Sequence, residues 1–143
     1  MLSKDTTNNI TNKIADASER AVGSRYNAGL IIATVHSIVV ITIIYLFFFS
    51  STKTGVVIGV GGVLSIILLH IVFNGCILLR VERTLFNDKH WYNLFNIIIF
   101  PLKQIGIVLN KDIIYKIVSM VDVLLLYISY VKITTIYPTL VLL

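Results

Sequence analysis

Two apolar runs, residues 28–50 and 55–79, stand almost back to back in the sequence. Each exceeds the roughly 20 residues that a helix needs to cross a hydrocarbon core of about 30 Å. The gap between them, which holds Lys53, is so short that the second helix must return antiparallel beside the first. The pattern predicts a transmembrane helical hairpin over 28–79. A third run, 111–131, is also long enough to cross, yet it is not uniformly apolar. Asp112, Lys116, Ser119, Asp122 and Ser129 fall within roughly 140° of one another at 100° per residue. A helix with such a stripe either packs it against protein or lies in the interface, so 111–131 reads as a third span or an amphipathic helix. The fold class that follows is an all-α integral membrane protein.

The remaining segments read as accessories to the hairpin. Residues 80–92 form a charged connector, and Trp91 and Tyr92 mark a return to the membrane interface, where aromatic rings prefer to sit. The segment 93–110 is apolar but broken by Pro101, Lys103 and Gln104; proline removes a backbone donor and clashes with the preceding turn. It reads as interfacial or re-entrant rather than spanning. The tail, 132–143, is rich in Thr and Ile and contains Pro138, a pattern for an extended apolar end that docks on lipid or on a neighbouring subunit.

The N-terminal arm, 1–27, is polar and mixed in charge. Within it Ile10, Ile14, Ala17 and Ala21 recur at helical spacing. Asn8, Asn9 or Thr11 would cap such a helix, and Gly23 would end it. A stripe this thin cannot hold a helix alone, so the arm is expected to lie on a partner protein. Ile10, Ile14, Arg20 and Arg25, with Arg80 and Arg83 of the connector, are the expected contact residues.

Composition agrees with the membrane reading. The chain is 57% hydrophobic and 13% charged, with a mean hydropathy of +0.90, against the quarter of charged residues usual in a soluble domain. Its net charge of +5 rests on scattered Lys and Arg with no aromatic interleaving, which argues for anionic headgroups and against nucleic acid. Lys4, Lys13, Arg20 and Arg25 precede the first span, and Arg80, Arg83 and Lys89 follow the second, whereas the loop holds only Lys53. Both ends of the hairpin are therefore expected on the cytoplasmic side. The apolar run after the arm is too long for a signal-peptide core, and it reads as an internal anchor. A single cysteine, Cys76, excludes an intrachain disulfide.

Few residues offer chemistry. Gly55, Gly59 and Gly62 share one face of the second span with His70 and Asn74, and Gly61 with Ser65 repeats the small-xxx-small spacing. Small residues let helix backbones approach closely, against the first span or against another copy. His36 and His70 lie at one depth, roughly 20–25 Å from the loop at 1.5 Å per residue. Two level imidazoles suit axial haem ligation, a shared metal or a proton relay. A metal site wants three or four ligands, however, and no third His, Cys or carboxylate lies nearby in the hairpin. Asn74, one turn past His70, offers a plain hydrogen-bond partner instead. Asp112 and Lys116 are spaced for an ion pair, and with Asp122 they raise either transport or a structural pair. No nucleophile–base pair is visible, so no enzyme activity and no cofactor are expected.

The arrangement of a polar arm at 1–27 followed by spans over 28–79 resembles the minor membrane-spanning proteins beneath the capsids of large icosahedral double-stranded DNA viruses. The resemblance is one of architecture. It implies a non-enzymatic structural subunit of the virion that ties an inner membrane to the capsid, with the arm and 80–92 as contact surfaces. An accessory subunit of a respiratory-type complex fits the same features. A small transporter, channel or bis-histidine haem carrier using His36, His70, Lys116 and Asp122 is the alternative from another class. The expected partners are the lipid bilayer, other subunits and, through the glycine face, a second copy.

Overall fold

A computed structural model of the chain describes residues 1–93, 96–106 and 111–136. Among them are six helices and no strand: α1 (Lys4–Val22), α2 (Arg25–Phe49), α3 (Lys53–Phe73), α4 (Ile77–Phe86), α5 (Asn96–Gln104) and α6 (Lys111–Ile136). Three are long and apolar enough to cross a membrane: α2, α3 and the Lys116–Ile136 part of α6. Only 11%, 28% and 6% of their apolar windows is buried within the chain, so most of their apolar surface is left to the surroundings. The chain divides into two compact units, 1–40 with 68–100, and 41–67 with 101–143.

The first unit holds most of the polar structure. Helix α1 starts earlier than the sequence suggests, because Ser3 caps it by accepting the Thr6 amide at 3.1 Å. It ends where expected, on Gly23 in the left-handed region at φ 76. Its buried face is not the Ile10–Ile14 stripe but the neighbouring row of Thr7, Thr11 and Ala15. Each threonine hydroxyl donates to a carbonyl one turn back, Thr7 to Ser3 and Thr11 to Thr7, so that small polar residues serve as packing surface. That row lies on α4, and Ala15 joins Ala28, Val81 and Leu85 in one apolar cluster. The arm is thus held by its own chain. Arg25 closes the corner, bonded to Glu19 at 3.2 Å and to the Thr84 carbonyl at 3.1 Å.

The second apolar run does not continue to residue 79. Helix α3 stops at Phe73, because Asn74 takes φ 53 and Gly75 φ 116, and a new helix starts at Ile77. The connector read at 80–92 is accordingly mostly helical: α4 buries Val81, Glu82 and Leu85 and is closed by Asn87 in the left-handed region. Asn-Gly is a strong turn signal, and here it separates α4 from α3.

In the second unit, Thr52 caps α3 by accepting the Gly55 amide at 3.1 Å. Close approach of the two antiparallel helices rests on Gly59. A Cβ there would lie 2.5 Å from the Phe47 amide nitrogen, a backbone atom that cannot give way. Gly62 faces Ile43, and Gly55 faces Ser50. Gly61 has open space where a side chain would stand, and Ser65 is exposed, so this pair is not part of the close helix approach. Phe47, Val56, Val60, Val63 and Ile67 form the core, against which Leu125, Ile128, Ile133 and Ile136 of α6 pack. Helix α6 therefore runs five residues beyond 131 instead of becoming extended. Lys132 donates to the Phe47 carbonyl and lies over the Phe47 ring, 5.3 Å from its centre. Helix α5, with nine residues, is too short to cross. The tail at 137–143 and the stretch at 107–110 lie outside the described residues.

Candidate functional site

Among the described residues of the first unit, a buried polar cluster gathers around Glu82, a residue the sequence reading passed over. Glu82 is fully buried on α4, on the same face as Val81 and Leu85. A carboxylate without solvent is costly unless its oxygens are bonded. Here they are bonded throughout: His36 Nδ1 lies at 2.6 Å, the Trp91 indole N–H donates at 2.7 Å, and the Asn93 amide donates to both oxygens at 2.9 Å.

Each donor is placed by the local fold. His36 stands on α2 about two turns beyond the point where Gly29 admits the Phe86 ring. A Cβ at Gly29 would come within 2.7 Å of that ring. Phe86 in turn packs on Trp91, with ring centres 4.6 Å apart, and Arg83 donates to the Trp91 carbonyl at 2.7 Å. Arg83 also lies 4.6 Å over the Tyr92 ring. These contacts fix the 88–93 strap, so that Asn93, at φ 50, turns its amide onto Glu82. The Asn93 carbonyl oxygen accepts from Ser37 at 2.8 Å.

The other nitrogen of His36 completes a relay. Its Nε2 lies 3.5 Å from the Cys76 sulfur, while Nδ1 faces Glu82. His70, at the end of α3, hydrogen-bonds the same thiol. Cys76 is the N-cap of α4, and the Leu79 amide is directed at its sulfur. Burial pushes the Cys76 thiol up, but the His36 and His70 hydrogen bonds, the charge on His36 and the Leu79 amide outweigh it, bringing it from 9.0 to about 6. Cys76 as a residue is half-buried. Nucleophile, imidazole and orienting carboxylate thus stand in line, the arrangement in which an imidazole activates a thiol and the acid fixes its tautomer.

The other candidates are dispersed. His36 and His70 come together at a sulfur and not across an open axial position. Among the described residues, no three His, Cys, Asp or Glu side chains are grouped to hold a metal ion. Asn74 is exposed, and its carbonyl accepts from Arg80 at 2.8 Å. Of the expected partner-contact residues, Arg25, Arg80 and Arg83 are bonded within the chain, whereas Ile14 and Arg20 are exposed and Ile10 half-buried. Lys116 is exposed, Asp122 is half-buried, and the Asp112 side chain lies outside the described residues. The sequence reading sees no nucleophile–base pair because Cys76 and His36 are forty residues apart. The one local sign was Val81 and Leu85 at helical spacing beside Glu82, which marks a helix with a buried acid. Compared with known proteins, the chain matches no family model, no curated protein and no solved structure.

Proposed function

We propose that this chain is a multi-pass membrane protein that transfers acyl groups through a thioester on Cys76. The observation that carries the reading is the Cys76–His36–Glu82 relay, with contacts of 3.5 Å and 2.6 Å on the two nitrogens of one ring. The chemistry follows from the residue types. The Cys76 sulfur attacks an acyl carbonyl carbon, the bond to the leaving group breaks, and the proton held on His36 goes to that group. His36 then takes a proton from an acceptor hydroxyl, amine or water, which attacks the thioester and releases the sulfur. A disulfide mechanism would need a second thiol, and Cys76 is the chain's single cysteine. The full chain in detergent micelles, mixed with p-nitrophenyl acetate, should release a burst of one nitrophenolate per chain. The burst should vanish in Cys76→Ala and slow at least tenfold in His36→Gln. A burst of unchanged size in Cys76→Ala would sink the reading.

A second reading, a structural subunit of a larger assembly, is favoured by one observation. Ile14, Ala17 and Ala21 are exposed on α1, beside the row that packs on α4. This open apolar stripe suits a partner helix, including one that ties a viral membrane to its capsid. Ile14→Glu leaves the packed row untouched, so it should abolish co-purification of a stoichiometric partner while thermal stability stays the same. Co-purification unaffected by that change would remove the support.

A further inference from the structure

We propose that the acyl group received by Cys76 is a long fatty chain, delivered as the thioester of a water-soluble, anionic thiol such as coenzyme A. The inference rests on the thiol reading and adds the substrate class to it. Three placements carry it. First, Cys76 stands just past Phe73, where α3 gives way to α4, so its thiol lies at the end of an apolar run. Second, among the residues near it in the sequence, three large apolar side chains are open to the surroundings: Leu69 is 44% exposed, Ile71 60% and Leu78 36%. An alkyl chain on the sulfur would find lipid-like surface there. Third, basic residues flank the thiol's segment in the sequence, with Arg80, Arg83 and Lys89 after the thiol, Arg20 before α2 and Arg25 at its start. Positive residues near span ends mark the cytoplasmic side and attract phosphates. A donor with an apolar tail and an anionic head matches both surfaces at once.

The start of α4 supplies the remaining need. Its first helical bond runs from the Arg80 amide to the Cys76 carbonyl at 3.3 Å, so the Ile77 and Leu78 amides precede the helical ladder. They can receive the charge that develops on the carbonyl oxygen. The Cys76 thiolate adds to the carbonyl carbon and a carbon–sulfur bond forms. The donor's carbon–sulfur bond then breaks, and the departing thiolate takes the proton from His36. Charge and atoms balance, with no oxidant or reductant.

The test compares palmitoyl-coenzyme A with acetyl-coenzyme A on the full chain in lipid nanodiscs, read by intact mass before and after neutral hydroxylamine. Membrane partitioning alone favours the longer donor at any cysteine. The control is therefore the double variant Cys76→Ala with Leu78→Cys, which keeps an exposed thiol two residues away. The expected result is hydroxylamine-labile palmitoylation of the wild type at least ten times faster than of the control. His36→Gln should bring the wild-type rate down to that of the control, and for acetyl transfer the gap between wild type and control should be several times smaller than for palmitoyl. Equal palmitoylation of wild type and control, or the same gap for both donors, overturns the inference. If the nitrophenolate burst persists in either case, the thiol reading stands and only the substrate class falls. If the burst is lost as well, both fall.

Discussion

Cys76 reports on the whole buried cluster through its pH dependence. The reactive form is the thiolate, so a thiol lowered to about 6 should be alkylated by iodoacetamide at a rate that rises through pH 6 and then levels off. An ordinary thiol would still be rising towards pH 9. Lower basicity also lowers nucleophilicity, with a Brønsted slope of about 0.4–0.5, so the rate at pH 7 should exceed that of an ordinary thiol only several-fold. The midpoint is therefore the sensitive measure. Replacing Glu82 tests the other end of the relay. A glutamine has one acceptor oxygen where the carboxylate has two, and Glu82 takes bonds from three side chains. Glu82→Gln should cost roughly 1–3 kcal/mol, the cost of a buried donor left unmade, and lower the melting temperature in detergent. Because the His36 ring loses its orienting partner, the alkylation midpoint should also move up by a unit or more. A lower melting temperature with an unmoved midpoint would mean that Glu82 only holds the fold.

At the scale of elements, the long helices were legible in the sequence and the short one was not. The apolar runs at 28–50 and 55–79 announce themselves by length; α2 follows the first closely, and α3 follows the second as far as Phe73. Helix α4 hides, because its charges, Arg80, Glu82 and Arg83, suggest a solvated connector. Only the spacing of Val81 and Leu85 and the Asn74-Gly75 turn point to a separate buried helix. The same blindness applies to α1, whose strongest apolar stripe is not the one that packs. Periodicity finds a face, but it cannot say that Thr7 and Thr11 will satisfy their own hydroxyls and so pack as small residues. Residues 132–136, with β-branched Ile133, Thr134, Thr135 and Ile136, read as extended. Packing of Ile133 and Ile136 on the core keeps them helical. The glycine spacing was equally ambiguous between faces, and a pair of substitutions separates them. Gly59→Ala must push α3 off the α2 backbone, a contact of 2.5 Å, whereas Gly61→Ala points into open space. Overpacking of this kind costs about 1–3 kcal/mol, so Gly59→Ala should show it in a denaturation series and Gly61→Ala should be neutral within about 0.5 kcal/mol. Equal losses at both positions would contradict the close approach at Gly59.

For the molecule as a whole, the distribution of charge decides which compartment the thiol meets. Along the sequence, Lys4, Lys13 and Arg20 precede α2 and Arg25 opens it, and Arg80, Arg83 and Lys89 follow α3, whereas the turn between the two helices is flanked only by Lys53. Positive flanks are retained on the cytoplasmic face, so α1 and α4 should stand on that side and Lys53 on the far side. This orientation matters for the chemistry, because a lone activated thiol is kept reduced on the cytoplasmic face and oxidised or capped on the other. The prediction is testable with cysteines placed in a Cys76→Ala background, at Lys53 and at Lys89. In sealed right-side-out vesicles, a membrane-impermeant maleimide should label Lys53→Cys before lysis, and Lys89→Cys only after it. Exchanging charge should reverse the pattern in a graded way. Adding two lysines beside Lys53 while neutralising Arg20 and Arg25 removes most of the bias, and a mixed population should then appear. Labelling of Lys89→Cys in intact vesicles would place the thiol on the exterior face, where a cytoplasmic acyl thioester could not reach it.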